Sequence, residues 1–327
     1  MCIMKYSSFM ILIISIYGVV TIDASELRTI DTTILRGAEF GDNFITKGKG
    51  SLTYEYSYID STSERKIKND QERYQAWKDQ GHSGVIRDYM KFEVYFAFSG
   101  PKMLANVDSW EFSSSGKRYH NIMQHAYNGE KMDAFRIKGS GKNGLHRAYG
   151  SIRENTIKAE FTDPRYFCIE LAGKPVSRFL KGYYGDRDLE SLSYLGEETL
   201  DNLLCKIFQG KIADSDTTIT AWLAPDLFYR PKHVVIEYAN ILVEVHNKIE
   251  LNEQNILFPT LILRENYYFD EITGEKILES RSTLEVHDDF ELNVEIDDAL
   301  FEIDFPRGLY VYDYRTGESM LVDNVHE

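Results

Sequence analysis

The feature that most constrains this chain is an alternation of apolar and polar residues with a period of two. Between Ser51 and Tyr58, apolar or aromatic residues hold the even positions and polar residues hold the odd positions. The same alternation recurs in four further segments, which are residues 92–98, 219–223, 290–296 and 301–305. Because successive side chains of a strand point to opposite faces of a sheet, each segment predicts a strand with one face on a core and the other in water.

Short turn signals separate these segments. They are Gly100-Pro101, Asn128-Gly129, Thr273-Gly274 and Thr316-Gly317. Short turns of this kind join antiparallel neighbours, whereas parallel strands need longer crossovers that are usually helical. The sequence therefore predicts a large, mainly antiparallel sheet.

Helical patterns are few. Pro175, at the favoured first position of a helix, is followed by apolar residues with helical spacing at Val176, Phe179, Leu180 and Tyr183. A second segment, residues 64–80, is rich in charged residues and helix formers but has only a thin apolar stripe, which indicates an exposed helix or a charged insertion near residues 61–82. A sheet with so few helices must close on itself or curl around them, so we expect a mainly β (α+β) fold.

The N-terminal segment predicts export. Lys5 precedes an apolar run from Phe9 to Val20, which is too short to span a bilayer as a helix but has the size of a signal-peptide core. We expect cleavage near Ala24, which leaves residues 25–327 as a single β-rich domain in the periplasm or outside the cell. An uncleaved membrane anchor is the alternative, and no other segment is apolar enough to make the mature chain an integral membrane protein.

Two cysteines, Cys168 and Cys205, remain after signal removal. In an oxidising compartment they can form a disulfide, but the sequence contains no information on their separation. Two separate buried thiols are an equal alternative.

The charge balance weighs against nucleic acids as partners. The chain has 37 Lys and Arg against 52 Asp and Glu, a formal net charge of −15. Non-specific binding of nucleic acid depends on Lys and Arg that replace the counterions of the phosphates. We therefore expect no nucleic-acid partner.

Motifs for catalysis or metal binding are weak. The eight His residues are dispersed, without a His-Glu-x-x-His or a Cys-x-x-Cys motif, so we expect neither a metal nor a cofactor. Ser114 and Lys117 match a Ser-x-x-Lys pattern whose companion motifs are missing. A hydrolase with two unassigned carboxylates is the least favoured function, and we expect a protein that is not an enzyme.

Several segments together resemble a known family. These segments, in chain order, are residues 127–129, 163–165, 221–226, 229–231, 256–259, 292–293, 301–308 and 312–313. They are similar to exported bacterial proteins akin to the outer-membrane lipoprotein-sorting proteins, particularly their hypothetical planctomycete-type relatives. The departures are the charged segment 64–80, Asn202 at a position where a turn glycine is usual, and Leu309 in place of a usual Thr.

This resemblance implies an open antiparallel half-barrel that curls around one or two helices and leaves an apolar cavity for acyl chains. No functional residue of the family maps onto a position of this chain. Strand alternation independently predicts an aromatic face opposite the helix at Pro175. The candidate cavity residues are Tyr54, Tyr56, Phe92, Phe96, Phe179 and Leu180.

The leading hypothesis is an exported, non-enzymatic protein of the bacterial envelope that binds a lipid or the acyl chain of a lipoprotein, with a role in lipoprotein transport or sorting. The alternative is an envelope sensor or protein-interaction module, in which the aromatic face is packed core.

Overall fold

The computed structural model describes residues 30–59, 89–112, 118–140, 145–154, 174–254, 256–270 and 273–322. The predicted signal peptide over residues 1–24, the charged insertion near residues 61–82, and Cys168 lie outside these residues. The described part is mostly β, with two α-helices, α1 (Thr32–Phe44) and α2 (Val176–Leu180).

The strands, in chain order, are β1 (Lys47–Tyr58), β2 (Tyr89–Ser99), β3 (Lys102–Phe112), β4 (Arg118–Tyr127), β5 (Lys131–Ser140), β6 (Leu145–Glu154), β7 (Tyr183–Tyr184), β8 (Arg187–Leu200), β9 (Leu203–Ile212), β10 (Thr218–Ala224), β11 (Arg230–Tyr238), β12 (Ile241–Leu251), β13 (Leu257–Phe269), β14 (Lys276–Val286), β15 (Glu291–Leu292), β16 (Tyr310–Asp313) and β17 (Glu318–Leu321). Two 3-10 turns, η1 (Pro225–Leu227) and η2 (Asp298–Phe301), interrupt them.

The strands form one mainly antiparallel sheet built from two series. Consecutive strands pair from β2 to β6 and from β8 to β14. Strand β1 joins the series, because it pairs with β2 on one side and with β14 and β15 on the other. Strand β16 extends the sheet in parallel beyond β6 and pairs with β17. In the described part of the chain β17 and β8 do not pair with each other, so the sheet is open, and the predicted mainly antiparallel sheet is confirmed.

The sheet curls around the two helices. Ala38 of α1 and Phe179 of α2 belong to the same buried apolar cluster as Phe96 of β2, Phe208 of β9 and Val245 of β12. Strands that are far apart in the sheet therefore share one buried core with the two helices. This arrangement is the curled half-barrel that we expected.

Helix α1 was not predicted from the sequence. Asp31 caps its N-terminus through a hydrogen bond from a backbone N–H. Gly37 and Gly41, one turn apart, face the corner after η1, where a Cβ on Gly37 would lie 2.6 Å from the Tyr229 ring and one on Gly41 would lie 2.7 Å from the Phe228 carbonyl oxygen. The two glycines allow a close approach of the helix to this corner, but they also weaken the helical pattern in the sequence.

Helix α2 is shorter than predicted. It ends at Leu180, and Tyr183 lies in β7 instead of on the apolar stripe of the helix. Asp42 of α1 accepts hydrogen bonds from the backbone N–H groups of Val176 (3.1 Å) and Ser177 (3.0 Å). Helix α1 thus supplies the N-terminal cap that α2 lacks in its own sequence.

The prediction of strands over residues 290–296 and 301–305 is largely wrong. Only Glu291–Leu292 is strand, and η2 follows. The side chains of this segment are nevertheless buried in alternation. Phe301 and Ile303 are buried against Ala97 and Leu104, on the face of the sheet that is turned away from the helices. An extended segment that lies across a sheet alternates in the same way as a strand within it, which explains the error.

Candidate functional site

The inner face of the sheet is the face turned toward α1 and α2. Strand register places Tyr54 of β1 directly opposite Phe92 of β2, and Gly50 opposite Phe96. The rings of Tyr54 and Phe92 are 5.7 Å apart between centres. The structure therefore brings Tyr54, Phe92 and Phe96 onto one face.

One end of this aromatic face is packed core. Phe96 and Phe179 are each 1% exposed and Leu180 is 3% exposed, all in the cluster that contains both helices. Tyr54 and Phe92 pack against this cluster but remain only partly buried. The face thus becomes more open with distance from the helices.

Tyr56 and Tyr58 continue the face beyond Tyr54. Both are partly buried, and their rings meet edge to face at 5.6 Å between centres. Burial raises the pKa of the Tyr56 hydroxyl well above its ordinary value, although a hydrogen bond with Ser280 opposes the shift. Tyr56 is thus a neutral hydroxyl with an apolar ring, which suits contact with a ligand that is partly apolar.

Polar side chains flank the tyrosines on β13 and β14. Ser282 and Ser280 lie opposite Tyr56 and Tyr58 respectively and are only 6% and 3% exposed. The amide nitrogen of Asn266 donates to the Ser280 hydroxyl at 2.9 Å. The tyrosines therefore have a buried polar border on this side.

A second polar group borders the face on β3 and β4. Ser109 lies opposite Phe92, and Asn121 lies opposite Ser109. The Asn121 amide nitrogen donates to Glu111 at 3.1 Å, and the Ser109 hydroxyl donates to the Asn121 backbone carbonyl at 3.3 Å. All three side chains are buried. Sequence reasoning missed this group, because β3 has apolar residues on both faces and its alternation does not reveal which face is inside.

The far end of the inner face, on β6 and β16, is exposed and aromatic. Tyr149 is 48% exposed, Tyr310 66% and Tyr314 57%. The guanidinium of Arg153 lies over the Tyr314 ring, 4.6 Å from its centre. Cation–π contact of this kind is typical of surfaces where Arg and aromatic residues lie together.

A stack of aromatic rings lies on the outer face, across β10, β11 and β12. The ring centres of Trp222 and His233 are 4.6 Å apart, and those of His233 and His246 are 4.2 Å apart. Burial, and to a smaller extent the neighbouring His246, lower the pKa of His233 to about 4. Among the described residues, the Nε2 atom of His233 has no hydrogen-bond partner.

Cys205 is buried and forms no disulfide with a described residue, and burial raises the pKa of its thiol. Cys168 lies outside the described residues. The two alternatives, a disulfide between these cysteines and two separate buried thiols, therefore both stay predictions.

Within the described ranges, no group of three or more His, Cys, Asp or Glu side chains is arranged to hold a metal ion. In the same ranges, no helix has the length and apolar character to cross a membrane.

Comparison with known proteins identifies no family. No protein-family model matches the chain, and no curated protein matches it. Solved structures match weakly. A DUF1329 family protein from Desulfovibrio piger shares 12% identity over 83% of this chain and 96% of that chain, at a TM-score of 0.35.

Two further matches are weaker. A porin-like protein from Bacteroides uniformis shares 9% identity over 74% of this chain and 96% of that chain, at a TM-score of 0.20. A MucA/MucB complex from Pseudomonas aeruginosa gives 8% identity over 81% of this chain and 100% of that chain, also at 0.20. Likenesses at such TM-scores carry no argument about function. The resemblance to lipoprotein-sorting proteins stays a prediction from the sequence.

Proposed function

We propose that this protein is an exported, non-enzymatic binding protein for a lipid or for the acyl chain of a lipoprotein. The observation that carries the proposal is the gradient along the inner face, from the packed Phe96 and Phe179 to the partly buried Tyr54, Tyr56 and Phe92. Half-buried aromatic rings offer apolar area for a chain and remain reachable from solvent.

The polar residues beside the aromatic face support an amphipathic ligand. Ser280, Ser282 and Asn121 are buried polar groups within two strands of Tyr56 or Phe92. Neighbouring strands lie about 4.8 Å apart, so a ligand chain on the rings has polar groups within about 10 Å. A role in lipoprotein transport is supported further by the sequence resemblance, and export is supported by the N-terminal signal pattern.

Solvent extraction of protein purified from its own envelope, followed by mass spectrometry, tests the proposal directly. We expect an extractable lipid or acyl species, and the emptied protein should take up a fluorescent fatty acid. Phe92→Ala and Tyr56→Ala should reduce uptake, whereas Ile122→Ala, which changes an exposed apolar residue on the outer face of β4, should not. No extractable species and no uptake by the wild-type protein would contradict the proposal.

A protein-interaction module on the same scaffold is the second candidate. The exposed tyrosines of β6 and β16 favour it, because exposed aromatic residues are enriched where proteins bind each other. Photo-crosslinking from Ser319 of β17 in the native envelope tests this role. Specific protein adducts that are lost in a Tyr310→Ala, Tyr312→Ala variant with unchanged fatty-acid uptake would support it, and adducts unaffected by these changes would contradict it.

A further inference from the structure

We propose that the exposed end of the inner face binds an acidic segment of a polypeptide in extended conformation. This inference does not depend on the lipid ligand and names the partner for the interaction role. The binding surface, called here the basic tyrosine surface, consists of Arg136, Lys138, Tyr149, Arg153, Tyr310 and Tyr312.

Strand register places these residues on one face. Lys138 lies opposite Asn121, and Arg136 lies opposite Met123, which belongs to the inner core. Tyr149 lies opposite Arg136, so it shares this face. Arg153 lies opposite Met132. Ser151 is two residues before Arg153 on β6 and so faces the same way, and Tyr312 of β16 lies beside Ser151. Every member of the surface is therefore an inner-facing residue of β5, β6 or β16.

The charges of these strands are divided between the two faces. In the described part of β4, β5, β6, β16 and β17, no inner-facing position holds Asp or Glu. The acidic residues occupy the outer-facing positions, which are Asp133, Glu154, Asp313 and Glu318. Lys131 and Arg315 on that side form ion pairs with Asp133 and Asp313. The outer acids are thus partly neutralised by their own cations, and the inner cations are left on a separate surface.

Within the described ranges, the inner cations have no carboxylate partner. Among the described residues, Arg136, Lys138 and Arg153 form no ion pair, and the buried Nε of Arg136 has no hydrogen-bond partner. The nearest inner-facing acid in the strand order is Glu111 on β3, which already accepts a hydrogen bond from Asn121. Three neighbouring cations without an ion pair to any described residue are unexpected in a chain of net charge −15. An anionic partner would supply the missing charge.

The shape and spacing of the surface favour a polypeptide. Tyr149, Tyr310 and Tyr312 are 48%, 66% and 40% exposed, so the surface is open and not a pocket for a small anion. Arg136 and Lys138 stand two residues apart on one strand, a distance of about 6.6 Å, and carboxylates at alternate positions of an extended peptide repeat at the same spacing. Arg and Tyr are also the residues that most often anchor protein interfaces.

Fluorescence anisotropy with labelled twelve-residue peptides tests the inference on the full chain. The acidic probe has Glu and Thr in alternation, and the neutral probe has Gln in place of each Glu. We expect the wild-type protein to bind the acidic probe at least tenfold more tightly than the neutral one, with affinity that falls as salt is raised. Equal binding of the two probes, or no binding of either, would overturn the inference.

Variants identify the surface. The double change Arg136→Gln, Lys138→Gln should weaken binding of the acidic probe at least tenfold, and Arg153→Gln alone should weaken it less. Lys248→Gln is the matched control, because it removes an exposed cation from the outer face of β12 and should leave binding unchanged. Unfolding midpoints show whether each variant is folded, and Arg153→Gln keeps the test valid if the double variant is not. An equal loss in Lys248→Gln would contradict the assignment of the site.

Two other probes separate the partner classes. Dextran sulfate represents an anionic polysaccharide, and vesicles with one third anionic lipid represent a membrane. Either one bound more tightly than the acidic peptide, with the same sensitivity to Arg136→Gln, Lys138→Gln, would overturn the polypeptide assignment. If the wild-type protein takes up no fatty acid, this result would contradict the proposed lipid function and leave the inference about the acidic polypeptide unaffected.

Discussion

At the scale of single residues, Gly41 shows how a side chain of one hydrogen positions a whole helix. A Cβ there would stand 2.7 Å from both the Cβ and the carbonyl oxygen of Phe228. Phe228 and Tyr229 have positive φ angles of 54° and 61°, so the corner is already in an unfavourable backbone conformation. The corner has little freedom to move away from an added methyl group.

We therefore predict that Gly41→Ala destabilises the protein by about 1–3 kcal/mol, as overpacking does, despite the better helix propensity of alanine. Denaturant unfolding of the variant and the wild type measures the change. Arg36→Ala, at an exposed position of the same helix, is the control and should change stability by less than about 0.5 kcal/mol. A variant as stable as the wild type would show that the corner after η1 relaxes freely.

Substitution of different aromatic residues of the inner face should affect stability and ligand uptake differently. Phe96 is 1% exposed, so Phe96→Ala should cost about 3–5 kcal/mol of unfolding free energy through the cavity that it leaves. Phe92 is partly buried, so Phe92→Ala should cost less while it reduces uptake of a fluorescent fatty acid. Unfolding midpoints and probe binding measured on both variants separate the two roles. Equal destabilisation with unchanged uptake would assign both residues to the core.

At the scale of elements, we expect the ring stack across β10, β11 and β12 to make stability depend on pH. The pKa of His233 is about 4 in the folded protein, whereas the ordinary pKa of a histidine side chain without these interactions is 6.5. The folded state therefore binds this proton less readily than the unfolded state, and the contribution of His233 is fully present above pH 6.5 and is lost as the pH falls through 4. The groups that act on it are His246, Glu244, Glu198 and Lys276.

We predict that the free energy of unfolding falls as the pH is lowered from 6.5 to 4. The His233→Phe variant should show a smaller fall over the same pH range. Phenylalanine keeps the aromatic stack with Trp222 and cannot bind a proton. Chemical denaturation at several pH values measures the slope, and His287→Phe is the control, since His287 lies outside the stack. An unchanged slope in His233→Phe would assign the pH dependence to other groups.

Residues 301–305, which cover the outer face of the sheet, illustrate why strand prediction failed locally. Phe301 and Ile303 alternate in burial as strand residues do, but they cover Ala97 and Leu104 from outside the sheet. Alternation reports which side chains are buried, and a covering segment and a strand bury them alike. Backbone pairing, which distinguishes the two, depends on the neighbours that tertiary structure supplies.

At the scale of the whole molecule, the N-terminal pattern makes the most direct prediction. We expect the exported protein to begin close to Ser25, because the apolar run ends at Val20. N-terminal sequencing of protein from the periplasm or the medium measures this. Recovery from the membrane fraction with Met1 at the N-terminus would contradict it and support an uncleaved anchor.

The mainly antiparallel sheet and the aromatic face followed from the sequence, because a period of two and short turns are local signals that one strand and one hairpin contain. Helix α1 did not follow, since Gly37 and Gly41 fit the helix only through the corner at Phe228 and Tyr229. The cap of α2 by Asp42 likewise joins residues more than a hundred positions apart.

The surfaces were decided by the tertiary structure alone. Arg136 and Lys138 are ordinary strand residues in the sequence, and they become one surface with Tyr312 only when β16 pairs with β6. The sequence determined which residues alternate, because alternation is a property of the single strand. The curl of the sheet decided which alternate residues are packed, half-buried or exposed, because burial depends on how the two helices fill the space between distant strands.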